Sequence, residues 1–329
     1  MRFGRSIREL YLLIAVFFGL LLLAFSCFSR FAVRFDALIG APVRRLISAQ
    51  NARISFSVTE LLLLCLPFLL LLLLALAFLA RRPSRMLFGL LSFLLVLFAL
   101  YTVTFAAGAH APPLAESLGL ADTEPTAEEL SGCAEWLSSL ASAPVREPRE
   151  EELARSLREA FSRLEEGYAF PVNTAISPKR SATPILGRLG FFGLYAFPLG
   201  EITVAAECTG AVAAFTLAHE MAHASGVVRE PEADLVAFLA CLDSGDPYLT
   251  YAGAAGMLSR LLTALHTEDP TLWQAASDGM PDAARDELVA AGETYDRITS
   301  PTQAPPEVSY SETVRLLCAL YRTRCSTAE

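Results

Sequence analysis

The sequence predicts three membrane-spanning helices followed by a mostly α-helical domain that contains a small sheet. Three long apolar runs lie in the first third of the chain, and helical spacing of apolar residues dominates most of the remainder. A stretch rich in glycine and aromatic residues interrupts that spacing. With 329 residues, 53% of them hydrophobic, the chain is long enough for one sizeable domain beside the membrane segments.

The apolar runs cover residues 10–28, 61–80 and 86–107, and none contains a charged side chain. A helix needs roughly 20 residues to cross about 30 Å of hydrocarbon, and each run is close to that length. Because charges and irregular backbone are costly inside a bilayer, all three runs are predicted to span it. The first run follows a basic start and could be a signal peptide, but its length and the lack of a small-x-small cleavage site at 25–28 favour an uncleaved anchor.

Charge divides the chain into a basic front and an acidic remainder. Residues 1–107 hold eleven arginines against three carboxylates, a balance of +8, so the net charge of −9 leaves −17 on the rest. An acidic domain repels nucleic acid, which excludes DNA and RNA as partners. The basic N-terminus and the turn at 81–85 are predicted to face the cytoplasm, which places the C-terminal domain outside. The first loop weakens this signal because it carries Arg30, Arg34, Arg44, Arg45 and Arg53.

The third apolar run ends at residues 108–113, where two consecutive prolines cannot donate to a helical ladder. We therefore divide the chain into a three-helix anchor at 1–107, a linker at 108–125 and a domain at 126–329. Thr126 and Glu129 form a capping box for the first helix of the domain.

The rest of the domain is predicted to be helical except for its centre. Residues 201–206 have the composition of a strand and follow four glycines between 187 and 200. Further helices are predicted at 149–166, 211–225, 231–242, 247–266, between 269 and 298, and at 311–322.

Residues 219–223 read His-Glu-Met-Ala-His, an HExxH pattern on an apolar helix. Histidines four residues apart share one helical face, so His219 and His223 can both bind one zinc ion, while Glu220 points toward the metal-bound water as general base. Zinc lowers the pKa of that water and polarises the scissile carbonyl. The alternative is a surface helix with incidental histidines, but buried imidazoles without a ligand would leave unsatisfied polar groups.

A catalytic zinc needs a third protein ligand, and Glu232 is the predicted one. Pro231 suits a first helical position, which places Glu232 in the first turn, where the helix dipole favours a carboxylate. It also shares a helix face with the apolar residues of the core. Four other acidic residues remain alternatives: Glu230, Asp234, Asp243 and Asp246.

The HExxH pattern followed by Glu232, Ala233 and Asp234 resembles zincins whose third ligand is a glutamate at the start of the next helix. From the membrane runs through 112–120, 197–201 and 229–234 to 309–310, the chain is similar to the bacterial domain-of-unknown-function family numbered 3810. This resemblance implies a bacterial inner-membrane protein with an extracytoplasmic gluzincin-like domain, and it implies no substrate. Asp234 and Leu235 depart from the family, which tends to have asparagine and a bulkier residue there.

Zincins often align their substrate along a sheet edge, so Glu201 and Thr203 are candidates for that edge, although a core strand is an equal alternative. Any of Tyr248, Tyr251 and Tyr310 could stabilise an oxyanion, and none is favoured over ordinary packing. The other two histidines, His110 and His266, are predicted to be structural.

The sequence therefore predicts a membrane-anchored zinc metallopeptidase that hydrolyses peptide or protein substrates. The alternative is a catalytically inactive zincin-like module that binds peptides or cell-envelope partners. An intramembrane protease is disfavoured because residues 211–218 are too short to span a bilayer. For the five cysteines beyond the anchor, disulfides and buried free thiols remain equal alternatives.

Overall fold

Three long apolar helices lie in the first third of the chain, as predicted. The computed structural model describes residues 2–79, 83–121, 123–142, 146–168, 171–298 and 307–325. By length and composition, three helical stretches in these ranges could cross a membrane: Glu9–Cys27, Val58–Leu79 and Met86–Ala109. Each predicted apolar run overlaps one of these stretches almost completely.

The chain is 75% helical, with one small sheet, which confirms the mostly α prediction. In the first part, the helices are α1 (Arg2–Cys27), α2 (Ser29–Phe35), α3 (Ala41–Asn51), α4 (Val58–Leu79), α5 (Pro83–Tyr101), α6 (Ala107–Ala109) and α7 (Leu114–Ser117). Next come α8 (Ala127–Leu140), α9 (Glu150–Tyr168), α10 (Ile185–Arg188), α11 (Gly210–Ala224) and α12 (Glu230–Leu242). The last helices are α13 (Pro247–Glu268), α14 (Pro270–Asp278), α15 (Asp282–Ile298) and α16 (Glu307–Cys325).

The main core lies between α8, α11, α12, α13 and α16, and α11 also packs against the sheet. The predicted capping box is present at the start of α8, where the Thr126 hydroxyl accepts from the Glu129 N–H and the Glu129 carboxylate accepts from the Thr126 N–H. All seven cysteines are free thiols, and four of them are buried: Cys133, Cys208, Cys241 and Cys318. The structure therefore favours buried thiols over disulfides.

The segment between the first and second apolar helices is helical, and we call it the junction (residues 28–57). It contains α2, a π-helical turn at Asp36–Gly40 and α3. The Arg44 guanidinium is buried, donates two hydrogen bonds to the Asp36 carboxylate at 2.6 and 2.8 Å, and also donates to the carbonyl oxygens of Thr104 and Ser225. One side chain thus joins the junction, the end of the third apolar helix and the C-terminal cap of α11. Packing is continuous across the predicted boundary at residue 107.

The sheet has three strands in the order β1 (Lys179–Arg180), β3 (Glu201–Val204), β2 (Gly193–Ala196). Strand β1 runs parallel to β3 and β2 runs antiparallel to it, with Thr203 opposite both Lys179 and Leu194. Because β3 is central, Glu201 and Thr203 are fully buried and do not lie at a sheet edge. This corrects the substrate-edge prediction: strand order depends on contacts distant in sequence, which a local pattern does not reveal.

The Glu201 carboxylate is instead the centre of a buried polar network. It accepts hydrogen bonds from the Lys179 ammonium at 2.7 Å, from Asn51 at 3.0 Å, from the Ser57 hydroxyl at 2.8 Å and from the Thr59 N–H at 2.8 Å. Burial alone would raise its pKa, but these donors together lower the pKa of Glu201 to about 2. A charged carboxylate in the middle strand therefore anchors the end of the junction to the sheet.

The third apolar helix approaches the backbone of the domain closely at Gly108. A Cβ atom at this position would overlap the carbonyl oxygen of Gly226, just after α11. We expect Gly108→Ala to lower the stability of the full chain by about 1–3 kcal/mol, the usual cost of an added methyl group in a packed site. Gly89→Ala is the matched control near the other end of the same apolar helix, since nothing lies within 4 Å of a Cβ there. Thermal unfolding in detergent should separate the two variants, and equal midpoints would show that the contact is not tight.

Candidate metal centre

The helix that carries the HExxH pattern ends in a way that orients its second histidine. After Ala224 the chain reverses at Gly226, which has a φ of +102°, and the Val227 N–H bonds back to the Ala222 carbonyl. This is a Schellman cap, and Gly226 supplies the left-handed residue that such a cap requires. The cap places the Val227 carbonyl 2.7 Å from His223 Nδ1. That hydrogen bond holds the proton on Nδ1 and leaves the Nε2 lone pair free.

The next helix brings a carboxylate to the same place. Helix α12 begins three residues after Val227, and its first residue, Glu230, lies against both imidazoles. His219 Nε2 is 3.0 Å from Glu230 Oε2, and His223 Nε2 is 3.4 Å from Glu230 Oε1. The two Nε2 atoms are 3.0 Å apart. Among the described residues, His219, His223 and Glu230 form the group of side chains that could hold a metal ion. We call these three residues the triangle.

The size of this triangle fits a tetrahedral zinc site. Ligands at about 2.0–2.1 Å from a tetrahedral zinc are separated from each other by about 3.3–3.4 Å. The two Nε2 atoms are 3.0 Å apart, and they lie 3.0 and 3.4 Å from the two different oxygens of the Glu230 carboxylate, close to that spacing. Two imidazole nitrogens and one carboxylate oxygen are a common donor set for catalytic zinc, which also keeps a fourth position open. Glu230 is 64% exposed at its side chain, so the open side of the triangle faces outward.

A second carboxylate, that of Asp234, contacts the ring nitrogen of His219 that faces away from the triangle. Asp234 Oδ1 lies 2.9 Å from His219 Nδ1, and Asp234 itself accepts from the Arg260 guanidinium at 3.1 and 3.2 Å and from the Thr313 hydroxyl at 3.3 Å. Burial would lower the pKa of His219, but its hydrogen bonds with Asp234 and Glu230 raise that pKa to about 10. Metal-binding histidines usually donate their other ring N–H to such a group. Asp234 therefore fixes the direction in which His219 Nε2 points.

The carboxylate of Glu220 is buried between α11 and strand β2. A Cβ at Gly193 would lie 2.9 Å from Glu220 Cγ and 2.7 Å from Thr216 Cγ2, so glycine allows the strand to approach the helix this closely. Burial raises the pKa of Glu220, although a backbone hydrogen bond from Tyr195 opposes the shift. Strand β2 has β3 on one side only, so the sheet edge beside the HExxH helix is β2.

Glu232, the predicted third ligand, lies outside the triangle. Its carboxylate accepts hydrogen bonds at 2.7 Å from the Arg229 guanidinium and from the Leu114 N–H, which follows the two prolines after the third apolar helix. The place expected for Glu232 is taken by Glu230, one of the alternatives. The sequence analysis chose Glu232 because it faces the core. This reasoning missed Glu230 because the triangle opens at the surface. A usable signal was the spacing of Glu230 and Asp234, since residues four apart share one helical face.

The remaining candidates have other partners. Asp243 pairs with Arg324, and Asp246 caps α13 by accepting from the Tyr248 N–H. The Tyr251 hydroxyl donates to Glu287 at 3.0 Å, and the Tyr248 ring stacks on that of Tyr251. The side chain of Tyr310 lies outside the described residues. His266 packs edge-on against Trp273 with ring centroids 4.7 Å apart, in agreement with a structural role.

Comparison with known proteins places the chain in a family. No curated protein and no solved structure matches it. The sequence model of the family described as "Protein of unknown function (DUF3810)" matches residues 38–313, which include the junction from residue 38 onward, the two later apolar helices, the sheet and the metal-binding triangle. The chain therefore belongs to the DUF3810 family.

Proposed function

We propose that this protein is a membrane-anchored, zinc-dependent metallopeptidase with a gluzincin-like domain. The observation that carries the proposal is the triangle of His219, His223 and Glu230, in which both Nε2 atoms lie within 3.4 Å of a Glu230 carboxylate oxygen and 3.0 Å from each other, close to the ligand spacing of a tetrahedral zinc site. Glu220 lies on the same helix, and its buried position beside a free strand edge is where a general base would be needed. A glutamate at the start of the helix after HExxH is the gluzincin arrangement, with Glu230 in place of Glu232.

The chemistry assigns a role to each side chain. His219, His223 and Glu230 would hold the zinc, which when bound polarises a scissile carbonyl and lowers the pKa of water. Glu220 takes a proton from the attacking water onto its carboxylate and delivers it to the leaving amine. Burial is compatible with this role because it raises the pKa of Glu220, which makes the carboxylate a better proton acceptor. Asp234 keeps His219 in its ligating orientation.

The substrate in this proposal is an extended peptide paired with strand β2. Strand addition uses main-chain hydrogen bonds and selects side chains only through neighbouring pockets. The Tyr195 backbone bonds to Glu220, so a peptide along β2 would run past the general base. Strand β2 thus takes the role of substrate edge that the sequence had suggested for Glu201 and Thr203 of β3.

The membrane arrangement follows from the three apolar helices. If each crosses the bilayer once, the junction and the C-terminal domain lie on the same side, in agreement with their extensive contacts. The arginines of the first loop had weakened the orientation signal. Two of them are used inside the protein: Arg44 pairs with Asp36, and Arg45 pairs with Glu165 at 2.5 Å. With the N-terminus and the turn at 81–85 in the cytoplasm of a bacterium, the domain is extracytoplasmic.

Zinc content and hydrolysis of the full chain test the proposal together. Protein purified in detergent is expected to contain about one zinc per chain by mass spectrometry and to cleave unfolded protein or a peptide library until a chelator is added. His219→Ala should lose both properties, whereas His266→Ala, which changes a histidine outside the triangle, should keep them. Absence of zinc from the wild type would contradict the proposal. Zinc without any hydrolysis would instead support the inactive peptide-binding module.

A further inference from the structure

The junction exposes more large apolar side chains than a water-facing helical segment normally does. Leu38 is 78% exposed, and seven others are also exposed: Phe28, Phe31, Val33, Ile39, Leu46, Ile54 and Phe56. Contiguous apolar surface of this kind marks a site of contact with a membrane or another protein. Among the described residues from 108 onward, only Leu189, Phe191 and Val289 are large, apolar and exposed, so the surface is concentrated in the junction.

Four polar side chains of the junction are buried on its opposite side. Asp36, Arg44, Ser48 and Asn51 recur at helical spacing; the last three make hydrogen bonds with the domain, and Asp36 accepts from Arg44. A surface helix of a soluble protein has the reverse arrangement, with apolar residues inward and polar residues outward. The junction is therefore built to be in apolar surroundings on its outer side.

The position of the junction identifies those surroundings. It starts where α1 ends at Cys27 and stops where α4 begins at Val58, so both of its ends join apolar helices that could cross a membrane. Its exposed face also carries three arginines: Arg30, Arg34 and Arg53. Apolar side chains combined with basic ones are typical of segments that lie in the headgroup layer and attract anionic lipids. A protein partner would not explain why both ends enter helices of this kind.

A second pair of exposed apolar residues lies near the start of α4, where the junction ends. Leu189 and Phe191 lie in the turn between α10 and strand β2, and α10 contacts α4. The turn therefore stands beside the second apolar helix, at the end nearest the domain. It leads directly into the strand whose edge borders Glu220.

We propose that the junction and the turn at 189–191 lie in the headgroup layer of an anionic bilayer. The junction lies flat along the lipid surface with its apolar side chains below the phosphates and its arginines at their level. The C-terminal end of α11, which Arg44 contacts at Ser225, packs on the side of the junction that faces away from the lipid. This surface requires no metal and does not depend on the proposed enzymatic activity.

Depth-dependent quenching tests the proposal on the full chain. Leu38→Trp and Leu189→Trp are reconstituted separately in vesicles that contain lipids brominated near the top of the acyl chain. Most of the fluorescence added by each substitution should be lost relative to the same vesicles without bromine. Gln274→Trp is the control because Gln274 is exposed on α14, which packs on α8 and α13. Its added fluorescence should not change, and neither should that of the natural Trp136 and Trp273.

The two substituted sites and the lipid charge decide the outcome. If either tryptophan is quenched no more than the control, that part of the surface does not meet lipid and the proposal is wrong. An unquenched but blue-shifted emission would show that a second copy or another protein covers it instead. Replacing phosphatidylcholine with phosphatidylglycerol should increase quenching of Leu38→Trp, and adding Arg34→Gln and Arg53→Gln should remove that increase. No dependence on phosphatidylglycerol would overturn the role of the arginines.

Discussion

Peptide hydrolysis should fall by about 100- to 10,000-fold in Glu220→Gln, which is the usual contribution of a general base, while the zinc content stays at the wild-type level. The amide has the same shape as the carboxylate and can still accept the Tyr195 hydrogen bond, so the packing against β2 is preserved. It cannot accept a proton from water. Measurement of kcat/KM on a peptide that the wild type cleaves, together with zinc analysis, separates chemistry from metal binding.

A matched control for this variant is Glu287→Gln. Glu287 also has its pKa raised by burial, but it bonds to Tyr251 on α13 and is not part of the triangle. Its amide variant should keep both zinc and activity. Comparable activity in Glu220→Gln and the wild type would remove Glu220 from the reaction. Loss of activity in both variants would indicate a general sensitivity to lost carboxylates.

Zinc binding should distinguish Glu230 from Glu232. We expect Glu230→Ala to weaken zinc affinity by at least about 100-fold, because loss of a group that merely orients a ligand already costs 10- to 100-fold. Glu232→Ala should keep zinc and instead lower the unfolding temperature, since it removes the carboxylate that accepts from the Leu114 N–H and from the Arg229 guanidinium. Zinc titration with a competing chelator measures the first effect, and thermal unfolding measures the second.

The reverse result would restore the sequence-based choice. If Glu232→Ala remains folded yet loses zinc while Glu230→Ala retains it, the carboxylate of Glu232 must replace that of Glu230 when the metal binds. Loss of zinc in both variants would require a third experiment, with Glu230→Gln, because the amide preserves the contacts of α12 but is a poor zinc ligand.

Features that depend on neighbouring residues were predictable from the sequence. The three apolar helices, the capping box at Thr126 and the helix with His219 and His223 all follow from local spacing. The central position of β3 was not predictable because β3 pairs with β1 as well as with β2, and the β1 residue opposite Thr203 is Lys179, 24 residues earlier in the chain. The buried guanidinium of Arg44 was also hidden, since arginine in a loop between apolar runs is typical of a solvated face.

The third ligand shows a different limit. Glu232 and Glu230 are two residues apart, so they point in different directions from α12. The sequence argument favoured the one that faces the core, which is the right test for a buried apolar position. The triangle lies in the cleft between α11 and α12, where an exposed carboxylate reaches the histidines. Only the path of residues 225–229, which brings the two helices together, could decide between them.

The backbone contact between Gly108 and Gly226 determines how far from the membrane the proposed enzyme could cleave a substrate. His223 and His219 lie three and seven residues before Gly226, so the two histidines stand about 5 and 10 Å along the axis of α11 from this contact with the end of the third apolar helix. An extended chain covers roughly 3.3 Å per residue. A polypeptide tethered in the same bilayer would therefore arrive at Glu220 within its first few residues outside the lipid, whereas a freely diffusing protein would have to descend to the surface. The distance of a peptide bond from the membrane would then restrict which substrates are cleaved more than the side chains next to that bond.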